Sequence, residues 1–252
     1  MLRDGVTGDW KVWDTHSGEV MCTLQHGHIV RAIAFPPNEG HLLATGGVEK
    51  KLRIFDLSKV GAISNPTAAP TQKRMVGSSD AKVNGTADRS TIGAEEGFEV
   101  GVGVHKGTIK SIVWTKDPNV LVTACDDKAI RWWNLRTQSV VQEQLVQGDI
   151  GSCEFTNVQP QSGDIGGGFP VLVIAAGKTV YFYGGQDSRT LIKSVALPYD
   201  VASAALHPAQ RKFVTGGIKD TWAKVYDYDS ELELGRLLIT KTQAITNDYR
   251  LA

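Results

Sequence analysis

The sequence predicts an all-β fold assembled from copies of one strand meander, and three observations carry that reading. The stretch from His105 to Asn134, HKGTIKSIVWTKDPNVLVTACDDKAIRWWN, holds three strand-like segments separated by turn clusters. Ile109, Ser111 and Val113 alternate, Val120 to Cys125 is a short apolar run, and a third run closes on Trp133-Asn134. Alternation and short branched runs mark strands, whereas Asp117-Pro118-Asn119 and Asp126-Asp127-Lys128 interrupt them. The second observation is that the unit recurs. Leu42 to Gly47, Glu49-Lys50-Lys51 and Leu52 to Asp56 form one copy, and Phe213 to Gly217, Asp220 and Ala223 to Asp227 form another. The third is register: in each copy an acidic residue (Glu49, Asp127, Asp220) stands six positions before an aromatic one (Phe55, Trp133, Tyr226).

Taken in chain order, Lys11-Val12-Trp13-Asp14 reads as the tail of a copy whose front is missing. A front strand precedes each full copy, at His28 to Pro36, Thr108 to Thr115 and Val201 to Pro208. Between the second and third full copies, Gly151 to Phe155, Val171 to Ile174 and Val180 to Tyr183 form a degenerate copy without the acidic turn. Residues 58–97 are rich in Ser, Thr, Ala, Gly, Asn and Pro, and such a stretch is too poor in apolar surface to repay ordering. It is expected to be a disordered insertion, with Ser78, Ser79, Ser90 and Thr91 as phosphorylation candidates against the plainer reading of a solvated loop. Phe98 to Val102 is expected to resume as the outer strand of the interrupted unit. The expected organisation is 1–57 for N-terminal remnants and the first full repeat, 58–97 for the insertion, 98–238 for the remaining repeats, and 239–252 for a tail without strand grammar.

Composition narrows the function. Lysine plus arginine and aspartate plus glutamate each number 27, so no overall field attracts phosphate backbones or anionic lipid. The three cysteines, Cys22, Cys125 and Cys153, show no CxxC spacing, and no charged-then-apolar leader is read at Met1 to Asp4. A reducing cytoplasmic or nuclear setting is expected. The longest apolar runs, such as Val171 to Ala176, fall short of the roughly 20 residues that cross a bilayer.

A unit of about 40 to 45 residues with four short strands and a Trp-Asp type of close resembles the WD-repeat family. The resemblance implies a β-propeller, here incomplete, with about five blades or part-blades of about seven. It also implies a hydrogen-bonded network in each blade, matched in the central one by His105, Thr123, Asp127 and Trp133. The equivalent positions in other repeats are His28, Glu49, Phe55, Asp220 and Tyr226. Further stretches, among them Thr7 to Trp10, His28 to Ala32, Lys50 to Leu57, Ala204 to Pro208 and Lys224 to Glu233, are similar to one branch of the family. That branch implies a non-catalytic scaffold for protein–protein assembly in mRNA processing and splicing. Its setting would be spliceosomal ribonucleoprotein assembly with survival-of-motor-neurons (SMN) complex and Gemin-type partners, with modulation of receptor-kinase signalling besides. The alternative is a translation-initiation scaffold similar to the i subunit of eukaryotic initiation factor three. No cofactor, metal, small-molecule substrate, membrane or direct nucleic-acid partner is expected, and the partner-binding residues are unassigned.

Two departures from the family pattern concern the ends. Thr7-Gly8-Asp9-Trp10 and Lys11-Val12-Trp13-Asp14 belong to successive blades in the family, yet here Trp10 is followed directly by Lys11. Ile239 to Ala252 lacks an acidic turn and an aromatic close. Both are expected to mark a shortened form.

Catalytic motifs were weighed against plainer readings. Gly177-Lys178-Thr179 carries the end of a phosphate loop, but Leu172 stands where the motif needs glycine, and a strand follows in place of a helix. Cys22, His26 and His28 supply three candidate metal ligands without a fourth. Asp126-Asp127 and Glu95-Glu96 are adjacent carboxylates without a shared cleft, and Gly163 to Gly168 reads as loop. Trp132 is expected between blades, since its equivalents are Ile54 and Val225. Asn84-Gly85-Thr86 is a sequon that a chain without a secretory leader would not use. No nucleophile-elbow sequence accompanies the serines, and an enzyme is not expected.

Overall fold

The computed structural model describes residues 10–37, 40–59, 91–92, 97–156 and 161–238. Apart from one turn of 3-10 helix at Leu57–Lys59, every regular element there is a strand. The first are β1 (Trp10–Trp13), β2 (Val20–Leu24), β3 (Val30–Ala34), β4 (Leu42–Gly47), β5 (Leu52–Asp56), β6 (Thr91–Ile92) and β7 (Phe98–Val100). Next come β8 (Ile109–Trp114), β9 (Val120–Cys125), β10 (Ala129–Asn134) and β11 (Ser139–Leu145), then β12 (Ile150–Phe155), β13 (Leu172–Ala176), β14 (Thr179–Gly184) and β15 (Thr190–Ala196). The last are β16 (Val201–His207), β17 (Lys212–Gly217), β18 (Trp222–Asp227) and β19 (Glu233–Leu238).

These strands form five sheets among the described residues. Four are four-stranded antiparallel meanders, β3-β4-β5-β7, β8-β9-β10-β11, β12-β13-β14-β15 and β16-β17-β18-β19. The remaining sheet pairs β1 with β2 antiparallel and sets the short β6 parallel beside β2. In the β8–β11 and β16–β19 meanders consecutive strands are joined by short turns and pair without long loop closure, whereas longer connections separate β5 from β7 and β12 from β13. The first strand of every four-stranded sheet carries a bulge at the same place, after Val30, Ile109, Ile150 and Val201. A bulge adds local twist, so four equal bulges give the four sheets a common twist.

First strands of successive sheets lie side by side, β3 against β8, β8 against β12 and β12 against β16. Side chains lock them together. Trp114 Nε1–H donates to Ala34 O at 3.0 Å, Ser111 Oγ–H to Cys153 O at 2.8 Å, and the Ala204 amide to Ser152 Oγ at 3.3 Å. At Gly151 a Cβ would fall 2.4 Å from Ala202 O, so only glycine allows β12 and β16 this approach. Four apolar clusters fill the spaces between successive sheets, one per pair. Sheets packed face to face around their first strands make this a WD-type β-propeller architecture.

The junction Trp10-Lys11 falls inside β1, where Trp10 pairs with Leu24 and Lys11 with Thr23. Beside it Ile33 is 51% exposed, whereas its equivalents Ile112, Cys153 and Ala204 are 4%, 4% and 2% exposed. Those three are covered by a neighbouring first strand, and the β1-β2-β6 sheet offers β3 none among the described residues. Of the expected insertion 58–97, Ser58–Lys59, Thr91–Ile92 and Gly97 are described; the rest, with Ser78, Ser79, Ser90, Asn84-Gly85-Thr86 and Glu95-Glu96, lies outside the described residues. So do the Thr7-Gly8-Asp9 motif and the 239–252 tail. No helix in the described residues is long and apolar enough to cross a membrane.

Candidate functional site

In the β8–β11 blade, Trp133 Nε1–H donates to Thr123 Oγ1 at 2.9 Å, and Thr123 Oγ1 lies 3.0 Å from His105 Nε2. The His105 ring leans on the Trp133 indole with centroids 5.1 Å apart, and all three side chains are buried. Sheet register builds this: Trp133 opposes Leu121 on the strand beside it, which carries the indole nitrogen toward Thr123. Burial holds the His105 imidazole far down, to about 4, with the Arg131 charge adding to it and Asp127 partly offsetting it. His105 Nδ1 has no hydrogen-bond partner, so an added proton there would find no acceptor.

Asp127 requires a correction. It was expected in one chain with His105, yet it is not hydrogen-bonded to that ring. Its carboxylate accepts from the Lys106 amide at 2.9 Å, the Ala129 amide at 3.1 Å and Arg131 at 2.9 Å. Asp127 thus ties the front turn to the β9–β10 hairpin, and the network has two parts. Burial pushes the Asp127 carboxyl up, but the Lys106 amide, the Cys125 thiol and Arg131 outweigh it and bring it below its usual range.

Arg131 was missed from sequence although the signal was present, since a cation follows each acidic turn residue by four positions. Glu49 pairs with Arg53, Asp127 with Arg131, and Asp220 with Lys224. In a strand, residues four apart share a face, so the two side chains lie on the same side of the hairpin.

His28 requires a second correction. Its side chain is exposed, and its backbone amide donates to Glu49 Oε1 at 3.1 Å. The buried histidine is His26, four residues before the strand opened by Val30, as His105 stands four before Ile109. His26 meets Phe55 edge-on at 5.5 Å. Phe55 has no N–H to offer, and both Thr45 Oγ1 and His26 Nε2 lack partners around a cavity of about 10 Å³. Cys22, His26 and His28 do not converge, and no group of three or more metal-ligating side chains occurs among the described residues.

The β16–β19 blade solves the same problem differently. Tyr199 OH lies 2.6 Å from Thr215 Oγ1 and 3.0 Å from Tyr226 OH, so a tyrosine from the front turn replaces histidine. Its β17–β18 turn is one residue longer than β9–β10, which leaves Asp220 exposed. In the β12–β15 blade Val146, Ile174 and Tyr183 take the places of His105, Thr123 and Trp133, and all three are buried. Gly177-Lys178, from the phosphate-loop fragment, is the turn between β13 and β14, with Gly177 at φ +54°. Trp132 is fully buried between the second and third four-stranded sheets, edge-on to Tyr183 at 5.4 Å.

Apart from the small cavity at His26 and Thr45, these groups line no cleft among the described residues; they hold blades. The sizeable cavity lies elsewhere, about 410 Å³ at the C-terminal ends of β3, β8 and β12. Phe35, Trp114 and Phe155 wall it, and these three occupy one equivalent position in successive repeats. Of the three, Trp114 also belongs to the core at 5% exposure, whereas Phe35 is 47% exposed.

Comparison with known proteins agrees with the geometry. The WD domain, G-beta repeat family matches residues 18–56 and 101–134. Serine-threonine kinase receptor-associated protein of Gallus gallus is 30% identical over 93% of this chain and 62% of its own length, and that of Homo sapiens is 29% identical over the same shares. The Dictyostelium discoideum protein of that name is 29% identical, with 74% of its length covered. This chain therefore spans about 62% of the length of the animal relatives. With the repeat match and the five sheets, the chain is similar in sequence and in fold to WD-repeat proteins and, over 93% of its length, to serine-threonine kinase receptor-associated protein.

Proposed function

We propose that this chain is a non-catalytic scaffold that joins proteins during assembly of spliceosomal ribonucleoproteins, working with components of the SMN complex in the cytoplasm and nucleus. The observation that carries the scaffold reading is the similarity over 93% of the chain to a WD-repeat protein named for its association with another protein. The site supports it physically. Buried and half-buried polar groups such as Thr123, Arg131 and Asp127 are spent on holding blades, which leaves a stiff framework displaying loops and an open cavity. The relatives' name supports a second partner class, a serine-threonine kinase receptor.

Affinity purification of the tagged chain from cells of its own source, with quantitative mass spectrometry, tests the proposal. Gemin-type and Sm proteins are expected to be enriched. Enrichment of initiation-factor subunits instead would replace this reading with the translation-initiation one, and a receptor kinase in the eluate would establish the second partner class.

A further inference from the structure

We propose that the cavity at the ends of β3, β8 and β12 receives an arginine side chain of a partner protein, with the Glu154 carboxylate as its counterion and the Phe35, Trp114 and Phe155 rings as its walls. The proposal rests on the scaffold reading and names the chemistry by which one partner would be held.

Three observations converge on it. The first is that Glu154 is out of pattern. Its equivalents in the other first strands are Ala34, Val113 and Ala205, so a carboxylate stands where the repeat otherwise places a small or apolar side chain. The second is that this carboxylate has no mate. Glu154 is exposed at the cavity, no hydrogen bond or ion pair reaches its carboxylate among the described residues, and the cavity walls that take water from one side of it raise its pKa. A carboxylate that faces apolar walls on one side and has no partner is open to a cation or to donors brought by a guest. The third is that its neighbours are already engaged. Trp114 Nε1 is bonded to Ala34 O, Ser188 Oγ to Pro170 O at 2.9 Å, and Thr156 Oγ1 accepts from the Val171 amide at 3.1 Å. Asp187 and Arg189 beside the rim pair with each other.

Aromatic faces and one carboxylate favour a planar cation. Guanidinium stacks on aromatic rings and offers a fork of N–H donors to a carboxylate. A volume of about 410 Å³ admits such a side chain together with some of its flanking backbone. Lys116, exposed on the same cavity, opposes a cationic guest, and this gives the proposal a second handle.

The test uses the whole chain and four fluorescein-labelled, end-blocked nonapeptides of glycine and serine whose central residue is arginine, citrulline, lysine or glutamate. Citrulline keeps arginine's shape and removes its charge. The arginine peptide is expected to bind at least about tenfold more tightly than the citrulline one, the scale of one charged hydrogen-bonded contact. Glu154→Gln is expected to abolish that difference with the thermal midpoint unchanged, and Lys116→Gln to tighten arginine binding about two- to threefold. Equal binding of arginine and citrulline, binding of the glutamate peptide alone, or no binding up to millimolar protein would overturn the proposal. If Glu154→Gln loses the peptide but keeps the co-purified proteins, the cavity reading stands and those partners dock elsewhere. If the wild-type chain binds the peptide yet enriches no protein, the scaffold reading fails alone.

Discussion

Replacing His105 with leucine should invert the order of stability between wild type and variant as pH falls. Two other blades place Val146 and Leu197 at the equivalent position, so an aliphatic side chain fits this kind of site. At pH 7.5 the variant loses the contact to Thr123 Oγ1, worth about 1 kcal/mol. The wild type carries a different liability. Its imidazole pKa is about 4 folded, against about 6.5 unfolded. Between those values the unfolded chain binds the extra proton, so stability is complete above the unfolded value and falls as pH drops toward the folded one. With about 1.4 kcal/mol per unit, the wild type loses about 2 kcal/mol between pH 7.5 and pH 5 through this one group. The leucine variant lacks that loss. Urea unfolding at steps of pH should therefore show the variant about 1 kcal/mol less stable at pH 7.5, equal near pH 6 and about 1 kcal/mol more stable at pH 5. Every other titrating group is common to both proteins. Parallel curves, or a folded-state His105 resonance titrating near 6.5, would refute the reasoning.

Trp133→Phe recreates the situation at Phe55, leaving Thr123 Oγ1 without its indole donor, and should cost about 1 to 3 kcal/mol in urea unfolding; Phe55→Leu, which removes no hydrogen bond, separates the polar loss from packing. Asp127→Asn strips the buried Arg131 of one of its two carboxylate partners and should lower the thermal midpoint by several degrees, whereas Asp220→Asn, whose more exposed carboxylate pairs with Lys224, should lower it less. Exposed Ile33, with Trp13 and Phe35, should make the chain self-associate with rising concentration in sedimentation velocity runs, and Ile33→Ser should weaken that tendency; a wild type that stays monomeric at high concentration would count against it.

Much of the fold is legible because the repeat writes it several times. The acidic-to-aromatic spacing at Glu49–Phe55, Asp127–Trp133 and Asp220–Tyr226 fixes the second hairpin of three blades, and alternation at Ile109, Ser111 and Val113 fixes a first strand. Harder to read was which of two nearby histidines turns inward, because the spacing that decides it, four residues to the strand as from His105 to Ile109, depends on where that strand opens. His26 and His28 both precede the strand at Val30, and the structure shows His26 buried and His28 exposed. The Asp127 partners were illegible for a related reason, since a carboxylate in a tight turn bonds the amides nearest it before it reaches a ring further away. The cavity was hidden by its own regularity. Phe35, Trp114 and Phe155 look like core at equivalent positions, and only in three dimensions do the three strand ends open outward together.

Beside the tyrosine arrangement of the β16–β19 blade, the blade built from β12 to β15 shows that the buried cluster of histidine, threonine and tryptophan can be replaced by valine, isoleucine and tyrosine. Single exchanges between them create orphans. Thr123→Ile alone strands the Trp133 indole N–H, and Trp133→Tyr alone withdraws the Nε1 donor from Thr123. Joint exchange removes donor and acceptor together, so the multiple variant should lose less than the sum of its parts. Drift in such a blade is therefore costly at single steps, and the β3–β7 blade carries one of them: it keeps His26 and Thr45 beside Phe55, and a polar atom of each is left without a partner.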